Sequence, residues 1–362
     1  MRRKYPLQVA VLETTNRCNL NCLICGSNSQ NLTNPKEMSV QEWCHLIDDL
    51  TDAGAEKIFF SGGEPTLKSG IGDIIEHVAQ SKVRWGLISN GLCISPDLLD
   101  LFQERKPITI GLSLDGLADT HNMLRRNPES FQMVSEHITE FKRREIPFSV
   151  ITTIHKLNFR ELFGIAEFVL ENKIYGWQIQ LAMPFGRMKQ NQELLLSQEE
   201  FRKACEMVER IRKILPEVNI AAADCFAWAP AGKIRQGRWL GCSAGLESVG
   251  IDAQGNVKGC LSMTECEPEG NIRKQSFAKI WQDENLFAYN RCFDPANTSE
   301  FCQNCFKVMK CKGGCNSQSF SMTGKFQQGV YCWHKSMNKG GDQVEKRHGL
   351  QVRTGRTASA GA

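Results

Sequence analysis

The sequence predicts an α/β fold: an open, partial barrel of six strand–helix units, followed by a smaller cysteine-rich C-terminal domain. Three observations carry this. Strand-like and helix-like patterns alternate through the first two thirds of the 362 residues. Only six such units are present, fewer than the eight that close a full barrel. After about residue 220 the long amphipathic patterns stop, and cysteines and glycines crowd in.

The strand-like stretches are 8–13, 57–61, 84–89, 108–114, 147–153 and 177–182. Between them lie helical stripes: Trp43, Ile47 and Leu50; Phe131, Val134, Ile138 and Phe141; Leu162, Ile165, Ala166 and Val169; Phe201, Cys205 and Val208. Repetition at this spacing argues for parallel strands with helical crossovers. A doubly wound open sheet is the alternative. The expected boundaries are 1–221 for the barrel and 222–337 for the second domain. The tail, 338–362, is Gly-, Ser- and Arg-rich with few apolar residues and is expected to be disordered.

Composition narrows the function classes. Hydrophobic residues make up 41% and charged residues 23%, enough apolar material for a large core. The net charge is +4, from 44 basic and 40 acidic residues, too balanced to imply nucleic acid. No apolar run approaches the ~20 residues that span a bilayer, and no signal-peptide cleavage site follows the basic start. The expectation is a cytoplasmic protein with no membrane partner. In a reducing compartment, sixteen cysteines at short fixed spacings point to metal binding or redox work, not disulfides.

The first set, Cys18, Cys22 and Cys25, sits in CNLNCLIC, directly after the first strand. Three thiolates can hold three irons of a 4Fe–4S cube and leave the fourth open to a substrate or cofactor. A zinc site would want a fourth Cys or His nearby, and none follows within 26–35. Catalytic groups on such folds sit on loops after strands.

This CxxxCxxC loop resembles the signature of the radical S-adenosylmethionine (SAM) superfamily, whose partial (β/α)6 TIM-like barrel matches the predicted units over roughly 8–215. The resemblance implies a 4Fe–4S cluster on Cys18, Cys22 and Cys25. SAM would bind its open iron and be cleaved reductively to a 5′-deoxyadenosyl radical that abstracts a substrate hydrogen. Ser61–Pro65, SGGEP, is similar to the motif that receives the SAM amino group, with Gly62 and Gly63 allowing close approach and Glu64 accepting from the ammonium. SNG (89–91) and SLDG (113–116) match positions that contact the ribose and methionine parts, making Asn90, Ser113 and Asp115 candidates; both are also ordinary turn sequences. Arg125 or Arg126 is a candidate for the SAM carboxylate. QLAMPFGR (180–187) resembles the sixth-strand segment of peptide-modifying relatives, with Gln180 facing the interior.

The second set is Cys242, then twelve residues, Gly255, four more, and Cys260; later come Cys302, Cys305, Cys311, Cys315 and Cys332. This series resembles the SPASM domain. The resemblance implies two auxiliary 4Fe–4S clusters, three clusters in all. The first would use Cys242, Cys260 and Cys315, and the second Cys302, Cys305, Cys311 and Cys332. Zinc ribbons are the alternative, since thiolates alone do not choose zinc over iron. Cys225 and Cys266 are candidates for the missing ligand of the first, with Cys225 favoured. Cys225, Cys266 and Cys292 are candidates for a thiol that donates hydrogen to a substrate radical. Cys44, Cys93 and Cys205 read as small core residues.

Relatives with this plan mostly modify ribosomally made peptides, so the expected function is an oxidoreductase that crosslinks or oxidises a peptide. Alternatives are tailoring of a small molecule such as a tetrapyrrole or sugar, and peptide epimerisation. Leu261 and Ser262 follow Cys260 where sulfatase-maturing relatives carry Asp, which argues against formylglycine formation. The first strand begins within about ten residues of Met1, which leaves no room before the barrel for a leader-binding domain. A separate leader-binding protein is therefore an expected partner, as is an electron donor such as flavodoxin or ferredoxin.

Overall fold

The computed structural model describes residues 5–30, 32, 34, 36–226 and 241–337; the expected tail and most of the expected boundary region lie outside them. In chain order the elements of the barrel are β1 (Val9–Glu13), α1 (Val40–Asp52), β2 (Lys57–Ser61), α2 (Ile71–Ala79), β3 (Arg84–Ser89), α3 (Pro96–Arg105), β4 (Ile110–Ser113), α4 (Ala118–Arg125), α5 (Ser130–Arg143), β5 (Phe148–Ile154), α6 (Leu162–Glu171), β6 (Gly176–Leu181), α7 (Gln198–Ile214) and β7 (Ile220–Ala222). β1 to β7 pair parallel in sequence order. The six expected strands fall within two residues of their predicted bounds. β7 was not expected: three residues are too few to show an alternation.

The strand period of two builds the layers. Ala10, Leu12, Ile58, Phe60, Leu87, Leu112, Val150, Ile154, Trp177 and Ile179 are buried in the main core. That core includes the helical stripes, such as Trp43, Leu46, Ile47 and Leu50 of α1. Each such side chain contributes about 1.5–3 kcal/mol on burial. The other face of the strands ends in Glu13, Ser61, Ser113, Thr153 and Gln180, all polar and only partly buried, at the C-terminal ends of β1, β2, β4, β5 and β6. Local signals set the helix starts: Ser39 with Glu42, and Ser197 with Glu200, form capping boxes at α1 and α7.

The C-terminal part contains β8 (Ser248–Ile251), β9 (Asn256–Lys258), β10 (Gly270–Asn271) and six helices of four to eight residues: α8 (Phe277–Gln282), α9 (Ala288–Arg291), α10 (Glu300–Gln303), α11 (Val308–Cys311), α12 (Asn316–Thr323) and α13 (Trp333–Met337). It is not a separate appendage. β8 pairs parallel with β1, Val9 opposite Ser248, so one ten-stranded sheet runs β10-β9-β8-β1-β2-β3-β4-β5-β6-β7. Phe277, Ile280, Trp281 and Phe287 join the main core. The guanidinium of Arg291 lies 4.0 Å from the Tyr5 ring centroid and 4.5 Å from that of Phe287, tying α9 to the chain start.

Candidate active site and cysteine sets

The loop after β1 is fastened on three sides. Thr14 N–H donates to the Ser61 carbonyl at 2.9 Å, Gly63 N–H to Thr15 O at 2.8 Å and Glu64 N–H to Arg17 O at 2.8 Å, so the SGGE turn is zipped along the cysteine loop. A Cβ at Gly62 would collide with the Thr15 carbonyl, and one at Gly63 with that of Arg17. Only glycine permits this approach. On a second side, Cys18 N–H donates to Gln30 O at 2.9 Å. On the third, Arg187 is a clamp the sequence did not announce. Its Nε donates to Cys22 O at 2.9 Å, its Nη1 to Ser29 O at 2.8 Å, and its backbone N–H to Cys25 O at 3.0 Å. Its signal was present in QLAMPFGR, but a buried arginine serving backbone carbonyls has no sequence pattern of its own.

Glu64 is fully buried. Its Oε1 accepts from Ser89 Oγ at 2.9 Å, Thr66 Oγ1 at 2.9 Å and Thr66 N–H at 3.2 Å, and its Oε2 accepts from Asn90 N–H at 2.7 Å. An ionised carboxylate offers about four acceptor positions, and four donors are already there. Burial raises its pKa, against the donors that lower it. In this geometry Glu64 braces the β2 loop to the β3 loop.

Asn90 stands beside the cysteine loop. Its Nδ2 donates to Asn19 Oδ1 at 2.8 Å and approaches Cys18 Sγ at 3.8 Å. Ser113 is half-buried at the end of β4. Asp115 is fully buried; its Oδ1 accepts from Thr153 N–H at 2.7 Å and its Oδ2 from Arg125 Nη2. Arg125 in turn points Nη1 at Cys22 Sγ, 3.9 Å away, and its buried Nε has no hydrogen-bond partner. Asp115 therefore orients Arg125, whose Nε is left as a spare donor. Gln180 lies opposite Thr153 in the β5–β6 register and donates to Thr153 Oγ1 at 3.0 Å.

Cys18 and Cys22 are buried together, with Cys25 packed against them. Burial pushes the Cys18 thiol up to about 11 and also raises Cys22, which Arg125 opposes. Thiols in such surroundings ionise when a metal replaces the proton. Three thiols gathered in one loop, and a largely buried arginine with a spare donor beside them, fit a cluster whose ligand presents a carboxylate. Among the described residues no three His, Cys, Asp or Glu side chains close on a single metal ion.

In the C-terminal part, Cys242, Cys260 and Cys266 pack together. Cys302, Cys305 and Cys332 neighbour one another electrostatically, and backbone N–H groups of His334 and Lys335 serve the Cys332 sulfur. Cys315 Sγ lies 3.1 Å from Ser317 Oγ, and Cys311 is partly exposed at the end of α11. Cys225 packs against the main core, where its Sγ accepts from Leu181 N–H at 3.2 Å. Cys205 is a core residue as expected, but Cys93 is not: it is exposed and accepts from Asn19 Nδ2 at 3.1 Å, because it lies past β3, on a loop. No cysteine is in a disulfide.

A carboxylate that sequence reading passed over is Glu13, at the end of β1. It lines a cavity of about 170 Å³ with Asn16, Ser27, Asp252, Lys258 and Leu261, between the two cysteine regions. Burial, with Asp252 next, pushes its pKa up to about 7.

A parallel barrel whose first loop gathers three thiols, joined edge-on to a second thiol-rich lobe, defines an iron–sulfur enzyme of the SAM-cleaving kind. The chain belongs to the radical SAM superfamily and carries a SPASM domain: residues 12–169 match the radical SAM superfamily and 242–306 the SPASM iron–sulfur cluster-binding domain. It is 30% identical to the Fe-coproporphyrin III synthase of Methanosarcina barkeri, over 76% of this chain and 73% of that one. It is 25% identical to an AdoMet-dependent heme synthase of the same organism (90% and 96%), and 26% identical to the PqqA peptide cyclase of Xanthomonas axonopodis pv. citri (88% and 85%). Among solved structures it shares the fold of Streptococcus suis SuiB bound to its precursor peptide SuiA, with TM-score 0.74 and 19% identity over 91% of this chain and 76% of that one.

Proposed function

We propose that this enzyme modifies a ribosomally made peptide, forming a crosslink or oxidising a side chain. The observation that carries the reading is similarity to a peptide cyclase over 88% of this chain and 85% of that one, a span that takes in both cysteine-bearing domains of this chain. In this reading Cys18, Cys22 and Cys25 hold the SAM-cleaving cluster. Cys242, Cys260 and Cys315, with Cys225 or Cys266, hold one auxiliary cluster; Cys302, Cys305, Cys311 and Cys332 hold another. The first cluster, when bound, supplies the electron that cleaves SAM. The chain's own residues do the rest. Arg187 keeps the loop closed by occupying its carbonyls. Arg125, fixed by Asp115, offers a desolvated positive charge to the SAM carboxylate, where a charge-assisted bond is stronger than in water. Ser113, Thr153 and Gln180 give the mouth a polar lining for substrate.

The partners follow from the same reading: a peptide, with or without a separate leader-binding protein, and a small acidic electron donor such as flavodoxin or ferredoxin. Supporting the donor, residues 301–337 contain no Asp or Glu but carry Lys307, Lys310, Lys312, Lys325 and Lys335. Phe306 and Met309 are 84% and 65% exposed among them, beside the partly exposed Cys305 and Cys311. Among the described residues no helix is long and apolar enough to cross a membrane. A cytoplasmic site fits the thiol content.

The similarity to the Fe-coproporphyrin III synthase favours a second reading, tailoring of a tetrapyrrole. Both are tested by one comparison. The enzyme is co-expressed with short peptides encoded beside it, and separately incubated, reduced, with SAM and iron coproporphyrin. A peptide that loses hydrogens in a manner dependent on Cys22 supports the first reading. An unmodified peptide with consumption of the porphyrin replaces it with the second.

A further inference from the structure

Tyr289 lies on α9, directly before Asn290, whose side-chain amide donates to Cys242 O at 2.6 Å and Ala244 O at 2.8 Å. That anchor fixes the tyrosine beside the first cysteine pair of the SPASM domain. Its ring stacks on Phe326 at 4.5 Å, and Phe326 on Phe320 at 4.9 Å. Its hydroxyl reaches the backbone of Gly259, the residue before Cys260, where any Cβ would collide with it. Tyr289 packs, with Cys260 and Cys266, against the buried cluster of Cys242, Ala244 and Met263. Beside them is a cavity of about 310 Å³ lined by Gly259, Met263, Cys266, Tyr289, Phe320 and Phe326.

Yet this hydroxyl is buried and has no hydrogen-bond partner. A buried tyrosine O–H normally finds one, and leaving it unpaired costs about 1–3 kcal/mol. The titratable groups whose charge acts on the phenol are Glu269, which accepts from Phe287 N–H at 2.8 Å, and the thiols of Cys242, Cys260 and Cys266.

We propose that the Tyr289 hydroxyl donates a hydrogen bond to the sulfurs of the iron–sulfur site held by Cys242 and Cys260, and thereby raises the reduction potential of that site. The proposal rests on reading those cysteines as cluster ligands. The physical reason is electrostatic. Reduction adds negative charge to the sulfurs, and an O–H donor in a low-dielectric pocket stabilises that charge; hydrogen bonds to sulfur are a principal control of cluster potential. Gly259 is then a spacing residue: its missing side chain lets the phenol lie against the backbone next to Cys260.

The test uses anaerobically reconstituted holoprotein, with iron and sulfide counted and midpoint potentials followed by electron paramagnetic resonance. Tyr289→Phe should keep the iron content and shift one midpoint potential negative, leaving the SAM-binding site's signal unchanged. If all potentials match wild type, the proposal is wrong. Should Tyr289→Phe lose iron, incorporation of 3-fluorotyrosine at 289 decides. Its more acidic O–H donates more strongly, so the same potential should move positive, and an unmoved potential overturns the proposal. Wild-type protein holding only one cluster would refute the ligand reading instead, which the iron count shows before any variant is made.

Discussion

At the residue scale, the site depends on side chains that hold other groups in place. Glu64 accepts four hydrogen bonds from three residues on two loops. Removing it strands buried donors, at about 1–3 kcal/mol for each one left unsatisfied. Glu64→Ala should therefore lower the melting temperature of the protein without SAM, as well as SAM affinity. Thermal melts with and without SAM check this. A variant that melts like wild type without SAM, yet binds SAM weakly, would return Glu64 to direct contact with the ammonium. The motif SGGEP was legible in the sequence, but the carboxylate's employment was not. Which donors reach it depends on where β3 delivers Ser89 and Asn90, and that is a matter of strand register.

At the scale of elements, the strands were read within two residues because alternation and length mark them. α1 and α5 to α7 showed wide apolar stripes. β7 and β8 gave no comparable signal: β7 has only three residues, and β8 lies in the stretch crowded with cysteines and glycines. α10, α11 and α13 form a second kind of element, short helices that carry Cys302 and Cys311 or directly follow Cys332. The basic and apolar surface on α11 leads to a prediction. Lys307→Glu with Lys310→Glu should weaken binding of a reduced acidic flavodoxin roughly tenfold or more at low salt, and flatten the salt dependence, since surface charges steer association. SAM cleavage driven by dithionite should be unchanged. Equal loss with both reductants would make the lysines structural. Unaltered flavodoxin binding, with lost affinity for anionic vesicles, would make the patch a membrane-facing one.

At the scale of the whole molecule, two lobes share one sheet and one core. Metal sites distribute over both. Reconstituted protein should hold about twelve irons, as three cubes. Replacing Cys18, Cys22 and Cys25 together by Ala should remove about a third of them and leave the C-terminal signals, because no ligand is shared between the lobes in this reading. Iron and sulfide analysis with Mössbauer spectra checks both numbers. Stoichiometric zinc in protein purified without oxygen would instead establish zinc ribbons.

The sequence by itself determined the chemistry and the plan. Thiolate spacings, the GGE turn and six strand periods are local patterns, and local patterns survive in one dimension. Family membership was readable from them. Tertiary structure alone decided which partners those residues have: that Arg187 clamps the cysteine loop, that Asp115 orients Arg125, that β8 pairs with β1, and that Tyr289 brings its hydroxyl to Gly259. All but the Asp115–Arg125 pair join residues far apart in the chain, and a buried polar group is assigned by the geometry of its neighbours, since an unsatisfied donor or acceptor must find its partner in space.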